Sequence, residues 1–146
     1  MRVFVISVFV CWSAFGIGNA QEVESVESFE ASDVTLDDFL WTARPLIIFS
    51  DATADPRFGE QIELLASDAS ALTDRDVVVI TDSSPAQKSD IRQELRPRGF
   101  MIALLAKDGT VVFRKPAPWD VREISRAIDK LPLRKQEVAI SRSVGD

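Results

Sequence analysis

No cysteine lies beyond position 11 of this 146-residue sequence, and histidine and tyrosine are absent altogether. Past that point thiol catalysis, thiolate metal sites, imidazole acid–base chemistry and any triad containing histidine are excluded. Disulfides are excluded as well, so an exported form of the chain must stand on its hydrophobic core, and roughly 100 ordered residues suffice for one core. Basic residues are outnumbered, 17 against 23 acidic, which argues against a nucleic-acid surface. No Gly-rich phosphate loop is present, and no cofactor is expected.

Long hydrophobic runs are equally scarce. The only one extends from Val3 to about Ile17, after Arg2 and before the small residues Gly18-Asn19-Ala20. Residues 1–20 therefore read as a secretory signal peptide; the run is too short and wrongly flanked for a stop-transfer helix. Cys11 follows Val-Phe-Val in mid-run, which excludes a lipoprotein site. Cleavage would remove Arg2 and no acid, leaving 16 basic and 23 acidic residues, a net charge of −7. It would also remove the lone Cys11 and leave no segment able to span a bilayer. The expected location is periplasmic or secreted.

What is present organises as alternating elements. Residues 21–33, QEVESVESFEASD, hold five acids and no base and read as a flexible, solvated leader. Thr35 with Asp38 opens a short helix that runs through Leu40-Trp41, and Pro45 blocks continuation. Trp41 reads as a lid on the core. Leu46–Phe49 and Asp76–Thr81 are consecutive apolar runs, as expected of parallel strands buried on both faces. Between them Asp55-Pro56 starts a helix whose stripe is Phe58, Ile62, Leu65, Ala69 and Leu72. Ser84-Pro85 caps another helix, with Ile91 and Leu95 inward and an end before Pro97. Phe100–Ala106 and Thr110–Arg114 flank Lys107-Asp108-Gly109, a hairpin signal. Asp120, Glu123, Trp119 and Ile124 give the last helix a capping box and a staple; it ends at Pro132. Residues 135–146 read as a flexible tail.

The prediction is a single α/β domain over residues 34–134. Its order is βαβ–α–ββα, with a central mixed sheet and helices on both faces. That order is similar to thioredoxin. The span from about Leu36 to Glu137 resembles the bacterial family catalogued as domain of unknown function 4174. The resemblance is carried by ARPLIIF, Gln61, DRDVVVI, LLAKDGTVVFR and IDKLPLRKQE. It implies a thioredoxin/peroxiredoxin-like fold and an exported location, with no established activity. It also implies kinship with domains of animal extracellular sushi-repeat and coiled-coil-domain proteins.

Comparison with thioredoxins places their Cys-Gly-Pro-Cys motif, counted on from Phe49, at Ala54-Asp55-Pro56-Arg57. The proline matches and both cysteines are replaced. Met101, in Gly99-Phe100-Met101-Ile102, stands where thioredoxins carry a cis-proline. A cis bond before a non-proline residue costs about 2.5–4 kcal/mol, so a trans bond is expected there. The resemblance thus implies loss of the dithiol mechanism and of its docking element.

The elbow FSDATADPRFGEQ admits several readings. Asp55-Pro56 is a helix start, or, with Arg57, a small-anion site. Asp51, Asp55 and Asp82 are solvated strand ends, or a divalent-cation or acid–base cluster. Ser50 and Thr53 are hydroxyl nucleophiles without an evident activator. Arg92, Arg96 and Arg98 are a solvated helix end or a basic rim, and Trp119 is a staple or an interface anchor. The favoured expectation is a non-enzymatic module that binds an unidentified protein or small ligand. Its face would be Ser50, Asp51, Thr53, Ala54, Asp55, Pro56, Arg57, Phe100, Met101 and Ile102. The alternatives are an enzyme using Asp51, Asp55, Thr53 and Arg57, with or without a metal, and an accessory envelope role with the acidic leader as tether.

Overall fold

The computed structural model describes residues 25–145; the signal-peptide expectation falls outside them. Strand β1 (Ser28–Glu30) is followed by a 3₁₀ turn (Leu36–Phe39) and strand β2 (Arg44–Phe49). Helices α1 (Pro56–Ala66) and α2 (Ala69–Thr73) lead to strand β3 (Val77–Asp82). A 3₁₀ turn (Pro85–Gln87), helix α3 (Asp90–Leu95), the hairpin strands β4 (Met101–Leu105) and β5 (Val111–Lys115), and helices α4 (Val121–Asp129) and α5 (Pro132–Val144) complete the chain.

The five strands lie in the order β1-β3-β2-β4-β5. β3 is parallel to both β1 and β2, β4 is antiparallel to β2, and β5 is antiparallel to β4. A strand alternates its side chains between faces, and β2 shows the consequence. Leu46 and Ile48 join Leu65, Leu72, Phe100, Ile124 and Ile128 in one core, under α1, α2 and α4. Ile47 and Phe49 join Phe39, Ile80, Ile91 and Leu95 in the other, under the first 3₁₀ turn and α3. Burial of each large apolar side chain contributes roughly 1.5–3 kcal/mol, so helices on both faces are what make β2 fully apolar after its first two residues. The hairpin forms as its sequence suggests: Gly109 takes φ +85° and donates to the Ala106 carbonyl at 3.0 Å.

Both ends of the described segment depart from expectation. The acidic leader was expected to be solvated, yet residues 28–30 pair with Val79, Ile80 and Thr81, and Ala31 is buried. Phe29 packs on Phe39 with ring centroids 5.3 Å apart, which supplies the apolar contact that counting acids overlooks. The tail expected from residue 135 is instead most of α5, started by Pro132 at a first-turn position. Trp41 is no lid; it takes φ 64° and is 69% exposed. The stripe from Phe58 to Leu72 spans two helices, broken at Ser67-Asp68. The capped helix at Ser84 is only a 3₁₀ turn, and α3 is capped by Ser89, whose hydroxyl accepts from the Arg92 N–H at 3.1 Å.

In α1 the inward position belongs to Gln61, fully buried, while Ile62 faces outward. The reason is polar. The Gln61 amide donates to the Trp119 carbonyl at 3.0 Å and accepts from the Trp119 N–H at 2.8 Å, so one side chain satisfies both backbone groups before α4. Gln61→Leu keeps the volume and leaves both unpaired. It is expected to lower stability by about 1–3 kcal/mol, read from the urea midpoint.

The start of β2 is also polar. The Arg44 side chain is wholly buried and donates to the Arg75 carbonyl at 2.8 Å and to both Glu137 carboxylate oxygens at 2.9 and 3.0 Å. Lys107 bridges Asp76 at 2.7 Å and Glu137 at 2.9 Å. No residue of α5 is buried, so this ionic cluster is a main attachment of that helix.

Candidate functional site

The elbow sits at the other end of β2. Asp55 caps α1 through its side chain, accepting from the Arg57 N–H at 3.0 Å, and Pro56 occupies the first helical position. The same carboxylate takes the Arg57 guanidinium in a fork, Nε to Oδ1 at 3.1 Å and Nη2 to Oδ2 at 2.8 Å. That hydrogen bonding holds the Asp55 carboxyl below its ordinary range and raises Arg57 above its own. The guanidinium lies 5.2 Å from the Phe100 ring centroid. The helix start is therefore closed by its own residues, and the small-anion reading loses both the free N–H groups and the free cation it requires.

Asp82 ends β3 and is buried. It accepts from the Ser89 hydroxyl at 2.6 Å and from Arg92 Nε and Nη2 at 3.0 and 2.8 Å. Arg92 Nη2 also donates to the Ser50 and Asp82 carbonyls at 2.9 and 3.0 Å. The Arg92 guanidinium lies 5.5 Å from the Phe49 ring centroid. One planar fork thus joins the ends of β2 and β3, which suits arginine and not lysine. Arg92 is not part of a basic rim with Arg96 and Arg98, which are exposed. Its signal was available: position 92 shares the inward helix face with Ile91 and Leu95, but nothing in the linear pattern named Asp82 as its partner.

The three elbow carboxylates do not converge. Asp55 faces Arg57, Asp82 faces Arg92, and exposed Asp51 lies 3.8 Å from Arg92. Among the described residues no group of three or more acidic side chains is placed to hold a metal ion. The Ser50 hydroxyl is buried and donates to the Ala52 carbonyl at 2.8 Å. Asp51, Ala52, Thr53 and Ala54 are exposed, and Arg57 is half exposed. Pro56 is exposed and Asp55 partly so. Phe100 and Ile102 are core residues, 2% and 0% exposed, so neither belongs to an accessible face; Met101 is partly buried beside Phe49 in the β2–β4 register. The apolar patch expected at Phe100–Ile102 is inside the protein because Phe100 packs beneath Arg57 and Ile102 pairs in the sheet with Ile48. The Phe100–Met101 bond is trans.

What the elbow retains is a polar loop that is exposed at Asp51–Ala54 and anchored by two arginine–carboxylate pairs. No described helix is long and apolar enough to cross a membrane.

This architecture is shared with known proteins. The structure superposes on the reduced 2-Cys peroxiredoxin of Plasmodium vivax with a TM-score of 0.57 and 14% identity, over 70% of this chain and 85% of that one. It superposes on an uncharacterised thioredoxin-like protein of Clostridium perfringens with a TM-score of 0.56 and 14% identity, over 84% of this chain and 93% of that one. These likenesses establish a thioredoxin-like fold. In sequence the chain is 34% identical over 90 residues to coiled-coil domain-containing protein 80 of Danio rerio. The match covers 60% of this chain but only 10% of that much longer relative. Residues 35–137 match the family model described as domain of unknown function (DUF4174), and the chain belongs to that family.

Proposed function

We propose that the protein is an exported, non-redox thioredoxin-like domain that binds a protein or small ligand through its elbow. The observation that carries this reading is the elbow itself. The positions matching the thioredoxin cysteines hold Ala54 and Arg57, while the loop between strand and helix stays exposed on a frame anchored by Arg92 and Asp55. The contact surface comprises Asp51, Thr53, Ala54, the outer half of Arg57 and the rim at Met101; Ser50, Phe100 and Ile102 support it from beneath. A loop whose conformation is set in advance loses little entropy on binding. Export is supported by the pattern of residues 1–20.

The test compares the wild-type protein, immobilised, with a Thr53→Lys/Ala54→Arg variant, both exposed to an envelope extract. Both substitutions lie at solvent-exposed positions and are expected to leave the melting temperature unchanged. A partner retained by wild type should be lost by about tenfold or more in the variant, since like-charge or steric conflict at a contact removes 1.4 kcal/mol or more. Equal recovery by both proteins excludes the elbow. Turnover above background in a thiol–disulfide reductase assay on the chain without residues 1–20 would overturn the non-redox reading.

A further inference from the structure

Although the chain as a whole is acidic, one cleft collects cations. It lies along α5, has a volume of about 480 Å³, and is lined by Arg75, Arg134, Lys135 and Arg142 against a single carboxylate, Asp129. Arg134, Val138 and Arg142 follow one another at four-residue spacing, so one helix face presents two guanidinium groups on either side of an apolar residue.

The cations are unequally engaged. Arg75 is fully used: its fork holds Asp129 at 2.9 and 2.9 Å, and its Nη1 donates to the Ala71 carbonyl at 2.7 Å. Arg134 has only loose partners, Glu137 at 3.5 Å and Asp129 at 3.7 Å, and its buried Nε makes no hydrogen bond. Glu137 is shared with Arg44 and Lys107, each at 2.9 Å. Lys135 and Arg142 make no ion pair among the described residues, and both are exposed. Three incompletely neutralised cations around one cleft form a local positive field in a protein of net charge −6.

We propose that this cleft binds an oxyanion of the phosphate type. Guanidinium forks match such oxygens geometrically, and the exposed lysine adds a mobile point charge. Arg75 and Asp129 form the fixed wall; Arg134, Lys135 and Arg142 contact the ligand. The site is separate from the elbow, so the two proposals stand or fall independently.

The experiment titrates the protein with inorganic pyrophosphate by calorimetry at low salt, beside a flotation assay with vesicles of phosphatidylglycerol or of phosphatidylcholine. Wild type is expected to show saturable pyrophosphate binding. Lys135→Glu/Arg142→Glu should weaken it by about tenfold or more through charge reversal at close range, with an unchanged circular dichroism spectrum and melting temperature. Arg126→Glu, exposed on α4 and outside the cleft, should bind as wild type does. Flotation with phosphatidylglycerol that is lost in the same double variant assigns the phosphate to a lipid headgroup; pyrophosphate binding without flotation assigns a soluble ligand. Absence of pyrophosphate binding, or binding unaffected by the double substitution, overturns the proposal.

Discussion

Glu137→Ala is expected to destabilise the protein by about 3 kcal/mol, because it leaves a buried cation without its carboxylate. Arg44 has no exposed side-chain surface, and its remaining partners would be the Arg75 carbonyl at 2.8 Å and Asp76 at 3.8 Å. A domain of this size loses roughly 4 °C of Tm per kcal/mol, so the shift is large enough to read by thermal or urea unfolding. The size of the effect reflects an uncompensated charge and not the worth of the ion pair. Replacing Arg44 and Glu137 together by methionine and leucine should therefore recover much of the loss.

The same cluster carries a pH signature. Burial pushes the Glu137 carboxyl up, but hydrogen bonds from Lys107 and Arg44 outweigh it and hold the group below its ordinary value of 4.5. A carboxyl whose pKa is lower in the folded state contributes stability that is complete above its unfolded value and is lost as pH falls through the folded one. The difference between wild type and Glu137→Ala should thus be full at neutral pH and shrink in acid below that value. A difference that is constant with pH would mean that packing, not charge, holds α5.

The second large effect is at the elbow. Arg92→Ala leaves the Asp82 carboxylate buried with only the Ser89 hydroxyl, and leaves the Ser50 and Asp82 carbonyls without the guanidinium they share. A loss of about 3–5 kcal/mol is expected. Arg92→Lys should not restore it, since an ammonium group cannot reach three oxygens from one plane. Native-state hydrogen exchange should show the segment from Ser50 to Asp55 opening before the rest of the sheet. A loss below about 1 kcal/mol, the range of exposed pairs, would show that the fork does not organise the elbow.

Much of this could be read along the chain. The apolar runs Leu46–Phe49 and Val77–Ile80 became the parallel centre of the sheet, and Lys107-Asp108-Gly109 became the hairpin. Asp55-Pro56 and Asp120 became helix starts with their side-chain caps, Asp120 accepting from the Glu123 N–H at 2.8 Å. These features depend on neighbours close in sequence, where periodicity and capping act. Gln61 and Ile62 were harder, since a 3.6-residue period allows either to face inward, and a backbone group far away at Trp119 decided between them. Strand β1 was hidden by its acids because its stability comes from an edge pairing with β3 and from Phe29 against Phe39.

The residue types alone determined that the chain beyond position 11 has no sulfur nucleophile and no imidazole, and hence no dithiol chemistry at the elbow. They also determined a two-faced sheet, because apolar residues on consecutive strand positions must be covered on both sides. Only the tertiary structure decided how the charges are used. It set Arg44 on Glu137 across 93 positions, Arg92 on Ser50 across 42, and Arg75 on Asp129 across 54. Ionic partners are selected by distance in space and by desolvation, and neither leaves a period in the sequence.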